Sequence, residues 1–329
     1  MKGSGLRKAR AEAPSNIAIV KYWGKRNKEL NLPLNSSFSI SLEALKVDTE
    51  VSVEDGPGTS RLFIDGEEVT GEEFEEYAGR VLEAFRRLYG DFHAVIRSKT
   101  NFPKSAGLAS SAAGIAALVV ALNEALGLSL SQIELSKIAR LGSGSACRST
   151  TGGFVLWEKG TRDDGEDSFC YQVFPETHWP ELVDVIGIVG RQKKKVSSRK
   201  GMLRVSSSPL MECRLKFVEE TLPKVIDAVR RKDEGEFYYW TMRHSNSMHA
   251  VILDSWPSTF YLNDISFALI ERIQESGIAG YTFDAGPNPH VFTTEDKAEE
   301  VVRVMREVGI TEVVISRVGP GPKVLDSNR

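Results

Sequence analysis

The stretch that most constrains the fold is Leu108 to Leu126. It is rich in Ala and Leu and reads as the clearest helix in the chain, with Gly127 as its stop. Its most apolar part, around Ile115 to Leu122, is far too short to span a membrane. The opening residues, MKGSGLRKARAEAPSN, are charged and lack the apolar core of a signal peptide. Both features predict a soluble, cytoplasmic protein. At 329 residues the chain is long enough for roughly two domains and for a core that needs no disulfide or metal staple.

Around that helix, strands and helices mix without regular alternation. Asn16–Lys21 and Phe38–Leu42 read as strands, and Val47–Val53 (VDTEVSV) alternates strictly, as a half-buried strand does. Arg61–Ile64 runs into an Asp65-Gly66 turn, and Thr70 with Glu73 has the spacing of a capping box before a helix through Tyr89. His93–Ser98, Gly152–Glu158 and Val183–Val189 are further strands, and Ser131–Leu141 is a second helix. After a basic, then Ser-rich loop at 191–208, the chain turns helical at 210–231, 234–248 and 265–277. A strand-turn-strand unit at 281–292, a helix at 296–308 and a strand at 311–317 follow. This pattern predicts an α+β fold in two domains, 1–189 and 190–329, divided where the composition shifts.

Composition removes several function classes. With 42 basic and 45 acidic residues the net charge is −3, which does not support a globally basic nucleic-acid binder. The basic run Lys193-Lys194-Lys195 with Arg199 and Lys200 lacks interleaved aromatics, leaving a solvated charge run or a clamp on an anionic metabolite. Cys147, Cys170 and Cys213 form no CxxC pair, and the five histidines include no HExxH, so a dedicated protein metal site is not expected. Cys147, beside Arg148, is expected to be a reduced structural thiol.

Four segments carry chemistry. Pro103–Gly114 (PKSAGLASSAAG) leads a small-residue loop into a helix start, whose free N–H groups and positive dipole end suit phosphate. Ser110 and Ser111 add hydroxyls there for a phosphate or a magnesium ion; the plain alternative is a small helix face packed on a neighbour. Leu141–Gly153 (LGSGSACRSTTGG) offers Ser143, Ser145 and Arg148, whose guanidinium fits a carboxylate or phosphate, or is a surface arginine. Asn16–Lys25 (NIAIVKYWGK) closes a strand with Lys21 and continues to Lys25, either constrained by the aromatic pair between them or snorkelling at the surface. In Gly280–Phe292 (GYTFDAGPNPHVF), Asp284 sits on a turn rich in Gly and Pro, a candidate general base or an Asx-turn residue.

Together, APSNIAIVKYWGK, LNLPLNSSFSISL, GLASSAAG, GSGSACRS and FDAGPN closely resemble the diphosphomevalonate decarboxylases of the GHMP kinase superfamily, over residues 13 to 317. KYWGK and SGSACRS are specific to that family, whereas GLASSAAG is a superfamily signature. The resemblance implies an N-terminal GHMP kinase-type domain and a C-terminal ferredoxin-like domain, with the site in the cleft between them. It implies an ATP- and magnesium-dependent reaction on mevalonate 5-diphosphate: phosphorylation of the 3-hydroxyl, then loss of phosphate and carbon dioxide to give isopentenyl diphosphate. By the same resemblance Asp284, Lys21 and Arg148 are catalytic, and Gly107, Leu108, Ala109, Ser110 and Ser111 hold ATP, with Ser111 on magnesium. Tyr22, Lys25, Ser143, Ser145, Arg148 and Arg199 hold the substrate, and a homodimer is implied. The segments SNSMHA (245–250) and GPNPH (286–290) depart from the animal and yeast forms, and SSRKGM (197–202) is closer to bacterial ones. Rival readings are a mevalonate 5-phosphate decarboxylase, a mevalonate 3-kinase and a non-catalytic metabolite-binding protein.

Overall fold

The computed structural model describes residues 6–102, 110–189 and 196–328. The chain opens with β1 (Arg7–Val20), the small hairpin β2 (Lys25–Asn27) and β3 (Leu32–Pro33), and β4 (Ser37–Asp55). A hairpin of β5 (Arg61–Ile64) and β6 (Glu67–Val69) leads through α1 (Gly71–Phe74), a π-helical turn at Glu75–Gly79 and α2 (Arg80–Tyr89) into β7 (Phe92–Thr100). Next come α3 (Ser110–Leu126), α4 (Gln132–Gly142), a 3-10 segment Gly144–Thr150, and the hairpin β8 (Phe154–Trp157) and β9 (Cys170–Phe174). The remainder runs β10 (Leu182–Ile188), α5 (Ser198–Met202), α6 (Met211–Arg231), α7 (Glu234–Asp254), α8 (Asp264–Ser276), β11 (Gly280–Phe283), β12 (Pro289–Thr294), α9 (Ala298–Glu307), β13 (Glu312–Arg317) and β14 (Lys323–Asn328).

Two main sheets result. The larger has the order β14-β1-β4-β7-β5-β6, with β8 and β9 attached to the other end of β4. The smaller, β11-β12-β10-β13, is antiparallel throughout, and its strands are linked β-α-β-β-α-β in the ferredoxin-like manner. Sheet membership does not change at residue 189. Strand β10 already belongs to the smaller sheet, and β14 crosses back to pair with β1.

Burial explains the local choices. Along β4, Val47, Thr49, Val51 and Val53 are buried and the residues between them are half-buried, so the alternation there faces one core. Strand β1 alternates at first, then is buried continuously from Ala13 to Val20, because both of its faces become covered. Every residue of α3 from Ala112 to Leu122 is buried, as a helix apolar all round must be. Gly114 allows a close approach there: a Cβ on it would stand 1.8 Å from the Tyr77 hydroxyl.

Three expectations change. Thr70 occupies an N-cap position but makes no side-chain cap bond, and the helix it opens is broken by the π turn. Capping boxes form instead at Ser131 with Glu134 and at Asn263 with Ser266. The 191–208 segment is not wholly loop, since it holds α5, capped by the Ser197 hydroxyl, and a 3-10 turn at Val205–Ser207. Cys147 is not a free thiol: it is bonded to Cys170, with Cα atoms 5.7 Å apart. The β8–β9 hairpin sets Cys170 opposite Trp157, and both cysteines are buried beside that ring.

Candidate active site

Lys21 follows the last residue of β1, and the strand carries it into the interior: it is 1% exposed, not a snorkelling surface lysine. Its backbone carbonyl accepts bonds from Asn35 Nδ2 at 3.0 Å and from Arg214 Nη2 at 2.7 Å. Its Nζ lies 2.7 Å from Oδ1 of Asp284, the residue just past β11. The two residues stand 263 positions apart in the sequence, one after a strand of the larger sheet and the other after a strand of the smaller. Asp284 keeps 41% of its side-chain surface open to a cleft of about 520 Å³.

Arg148 projects from the 3-10 segment and is 4% exposed. Its Nε donates to Asn16 Oδ1 at 3.1 Å and its Nη1 to Ser37 Oγ at 2.9 Å, while the guanidinium sits 5.8 Å from the Trp157 ring centre. Asn16 is fixed in turn by bonds from its Nδ2 to Ser149 Oγ and to the Ser145 carbonyl. Arg148 is thus locked by the protein's own groups, with part of its surface on the cleft.

The electrostatics follow from burial and proximity. Burial alone would raise the Asp284 carboxyl, but the charge and hydrogen bond of Lys21, with the fields of His290 and Arg148, hold it at about 2. Burial lowers the Lys21 ammonium, and Asp284 opposes that shift. Burial also lowers the Arg148 guanidinium to about 10 and pushes the Tyr22 hydroxyl up. Among the described residues the buried Tyr22 hydroxyl has no hydrogen-bond partner; it lies at the cleft wall, its ring set edge-on to Trp157 at 4.7 Å. An orphaned polar atom at that position fits a ligand oxygen.

The cleft gathers the described residues of all four chemical segments. Lys21, Tyr22 and Lys25 come from the first and Asp284 from the last. Ser143, Ser145 and Arg148 come from the 3-10 region, and Ser110 and Ser111 from the first turn of α3. Gly107, Leu108, Ala109 and the Lys193–Lys195 run lie outside the described residues. Gly24, in the left-handed region at φ +91°, turns the chain between Trp23 and Lys25 so that both side chains reach the cleft.

Comparisons with known proteins point to one family. Residues 13–170 match the diphosphomevalonate decarboxylase-like N-terminal domain, and residues 184–310 match the mevalonate 5-diphosphate decarboxylase C-terminal domain. The chain belongs to the diphosphomevalonate decarboxylase family. Among relatives, the diphosphomevalonate decarboxylase of Aspergillus fumigatus is 39% identical, across 92% of this chain and 80% of its own. The mevalonate diphosphate decarboxylase structure from Staphylococcus aureus superposes with a TM-score of 0.91 at 32% identity, covering 98% of this chain and 99% of its own. A structure of MDDEF in complex with MVAPP, AMPPCP and magnesium superposes with a TM-score of 0.90 at 34% identity, covering 98% and 100%.

Within this family frame, Arg199 stands apart from the other expected residues. It lines the cleft from α5, but its Nη1 is paired with Glu76 and its Nη2 donates to the Gly142 carbonyl at 3.1 Å. Glu76 lies in the π-helical turn, a feature that often marks functional sites. Neither Glu76 nor Arg214, Asn16 and Ser37 was expected as a site residue. Asn16 and Ser37 sit within NIAIVK and NSSFSIS, where a polar residue heading an apolar strand is the available signal. Arg214 carries no local signal; only the packing of α6 on β1 shows that it grips the Lys21 carbonyl.

Lys25 yields a pH prediction. Burial, then the charges of Arg199 and Arg80, lowers its ammonium to about 8. The free protein therefore loses this positive charge as pH rises through about 8, and its hold on a phosphorylated ligand should weaken there. A bound polyanion favours the protonated form, so the decline belongs to the unliganded protein. The Michaelis constant for the phosphorylated substrate should climb between pH 7 and 9.5, and Lys25→Arg should flatten that climb, because a guanidinium stays charged. A flat wild-type profile would show that Lys25 does not bind the ligand.

Proposed function

We propose that the chain catalyses the ATP-dependent decarboxylation of mevalonate 5-diphosphate to isopentenyl diphosphate, releasing ADP, phosphate and carbon dioxide. The observation that carries this reading is the Lys21–Asp284 pair facing the same cleft as the locked Arg148.

Asp284, ionised and open to the cleft, accepts the hydrogen bond of the substrate's 3-hydroxyl and takes its proton as the oxygen bonds to phosphorus. Lys21 keeps that carboxylate ionised and steadies negative charge that develops beside it. Arg148 holds the substrate carboxylate in line with the 3-phosphate. Cleavage of the bond to that carboxylate gives its electron pair to the new double bond as phosphate departs with the C–O pair, so the charges balance.

When bound, ATP would supply the phosphoryl group and magnesium would offset charge on the phosphates. The first turn of α3, with Ser110 and Ser111 on the cleft, fits the nucleotide phosphates, and Ser111 is the residue assigned to magnesium. Among the described residues no three His, Cys, Asp or Glu side chains converge, so oxygens of bound phosphates would complete that ion's shell. Tyr22, Lys25, Ser143, Ser145 and Arg199 take the diphosphate end.

The nucleotide part is assigned to the N-terminal unit, sequence 1–189, and the ferredoxin-like part to 190–329, with β10 joining the latter sheet and β14 the former. No helix among the described residues is long and apolar enough to cross a membrane. A cytoplasmic homodimer completes this reading and rests on family resemblance.

The deciding assay is carbon dioxide release with ATP, run on mevalonate 5-diphosphate and mevalonate 5-phosphate in parallel. Arg199→Ala should raise the Michaelis constant for the diphosphate roughly tenfold or more, since a charge-assisted bond is worth about 1.5–3 kcal/mol. The constant for ATP should stay nearly unchanged. Equal efficiency of the wild type on the two mevalonate phosphates, or an effect confined to ATP, would refute the diphosphate assignment.

A further inference from the structure

A second pair of ionisable groups lies behind Asp284, away from the cleft. Asp184 on β10 and His290 on β12 are 2% and 5% exposed, and His290 Nδ1 is 2.6 Å from Asp184 Oδ2. The other carboxylate oxygen, Oδ1, has no hydrogen-bond partner among the described residues. Such a pair needs an explanation, because well-packed hydrophobic residues in its place are often neutral or stabilising.

The sheet register shows what the pair faces. His290 is opposite Ile186 on β10 and Thr282 on β11, so Asp184, Ile186, His290 and Thr282 share one face. Burial agrees: Ile186 and Phe292 belong to the core against the larger sheet, whereas Val183, Val185, Tyr281 and Phe283 belong to the core on the opposite face. Asp284, two residues past Thr282, continues the His290 face, where diagonal neighbours on adjacent strands lie about 7–8 Å apart. Lys21, Asp284, His290 and Asp184 therefore form a row across the sheet in which basic and acidic groups alternate.

We propose that Asp184 and His290 are positioning residues for the Lys21–Asp284 couple: Asp184 orients the His290 imidazole, and His290 shapes the field behind the Asp284 carboxylate during phosphoryl transfer. The couple feels both groups. Burial raises the Asp284 carboxyl, and Lys21, His290 and Arg148 together overcome it. Burial lowers the Lys21 ammonium, and both Asp284 and Asp184 act to raise it. The pair makes no contact with the cleft, so its effect belongs on the chemical step and not on ligand affinity.

The proposal rests on the decarboxylase reading, and its test separates the two. Asp184→Val/His290→Val removes both polar groups together, leaves no orphaned charge and suits the two strands. Asp184→Asn is nearly isosteric and removes only the charge. In each folded variant kcat for carbon dioxide release should fall about tenfold, with the Michaelis constants for ATP and mevalonate 5-diphosphate within about twofold of wild type. A merely structural pair would change thermal stability and leave kcat per folded molecule unchanged. If the double variant fails to fold, Asp184→Asn alone decides. Folded Asp184→Asn with kcat within twofold of wild type overturns the proposal and leaves the decarboxylase reading intact; a wild type that releases no carbon dioxide overturns both.

Discussion

Asp284→Asn is expected to fold, to bind nucleotide, and to lose turnover by roughly 10²–10⁴-fold, the loss typical of a positioned proton acceptor. The fold should survive because of Lys21. With its carboxylate partner gone, the 1% exposed lysine loses the interaction that most opposes desolvation, and it can shed its proton instead of remaining an unpaired buried charge. A carboxylate held at about 2 is ionised at any working pH but is a weak base toward an ordinary hydroxyl. The proton must therefore move late, once bonding to phosphorus has made the hydroxyl acidic, and the group's early work is alignment. An acid limb of activity near neutral pH would have to come from another group. The measurements are nucleotide binding, thermal unfolding and carbon dioxide release on the same preparation. A folded variant releasing carbon dioxide within a few-fold of wild type would remove Asp284 from the mechanism.

Arg148→Lys should also be severe, despite conserving charge. Lysine cannot donate at once to Asn16 Oδ1 and Ser37 Oγ while presenting a planar edge to the cleft. Two buried acceptors lose their donor, and the cation loses its place near Trp157. Loss of a preorganised donor of this kind costs about 10²–10³ in rate. If Arg148 aligns the substrate carboxylate, the damage falls chiefly on carbon–carbon cleavage, so carbon dioxide release should drop more than ADP formation. Following both products in one time course separates the steps. Equal loss in both would place Arg148 in general substrate binding, and undiminished carbon dioxide release would exclude it from the reaction.

Regular elements were legible where their pattern is local. The alternation in VDTEVSV and the apolar run of α3 each name their own secondary structure, because strand and helix periods are written into successive residues. Turn chemistry was legible for the same reason at Asp65-Gly66, where Asp65 has φ +51° and Gly66 has φ +88°. The family, and with it the α+β architecture, was legible in KYWGK, GSGSACRS and FDAGPN, short strings whose residue types are tied to one another by a shared chemistry.

Long-range placement was not legible. Thr70 and Glu73 have the spacing of a capping box, yet the π turn that follows, against the Tyr77–Gly114 contact, sets a different course. The return of β14 to β1, the bond between Cys147 and Cys170, and the grip of Arg214 on the Lys21 carbonyl join segments that share no local signal. The same holds for Asp184 and His290, 106 residues apart, each of which alone reads as an ordinary polar residue in a strand. Residue order and local pattern determined which elements form and which chemistry the chain carries. Only the tertiary structure decided which side chains meet, because burial, charge pairing and close packing are properties of neighbours in space, and those neighbours come from strands and helices far apart in sequence.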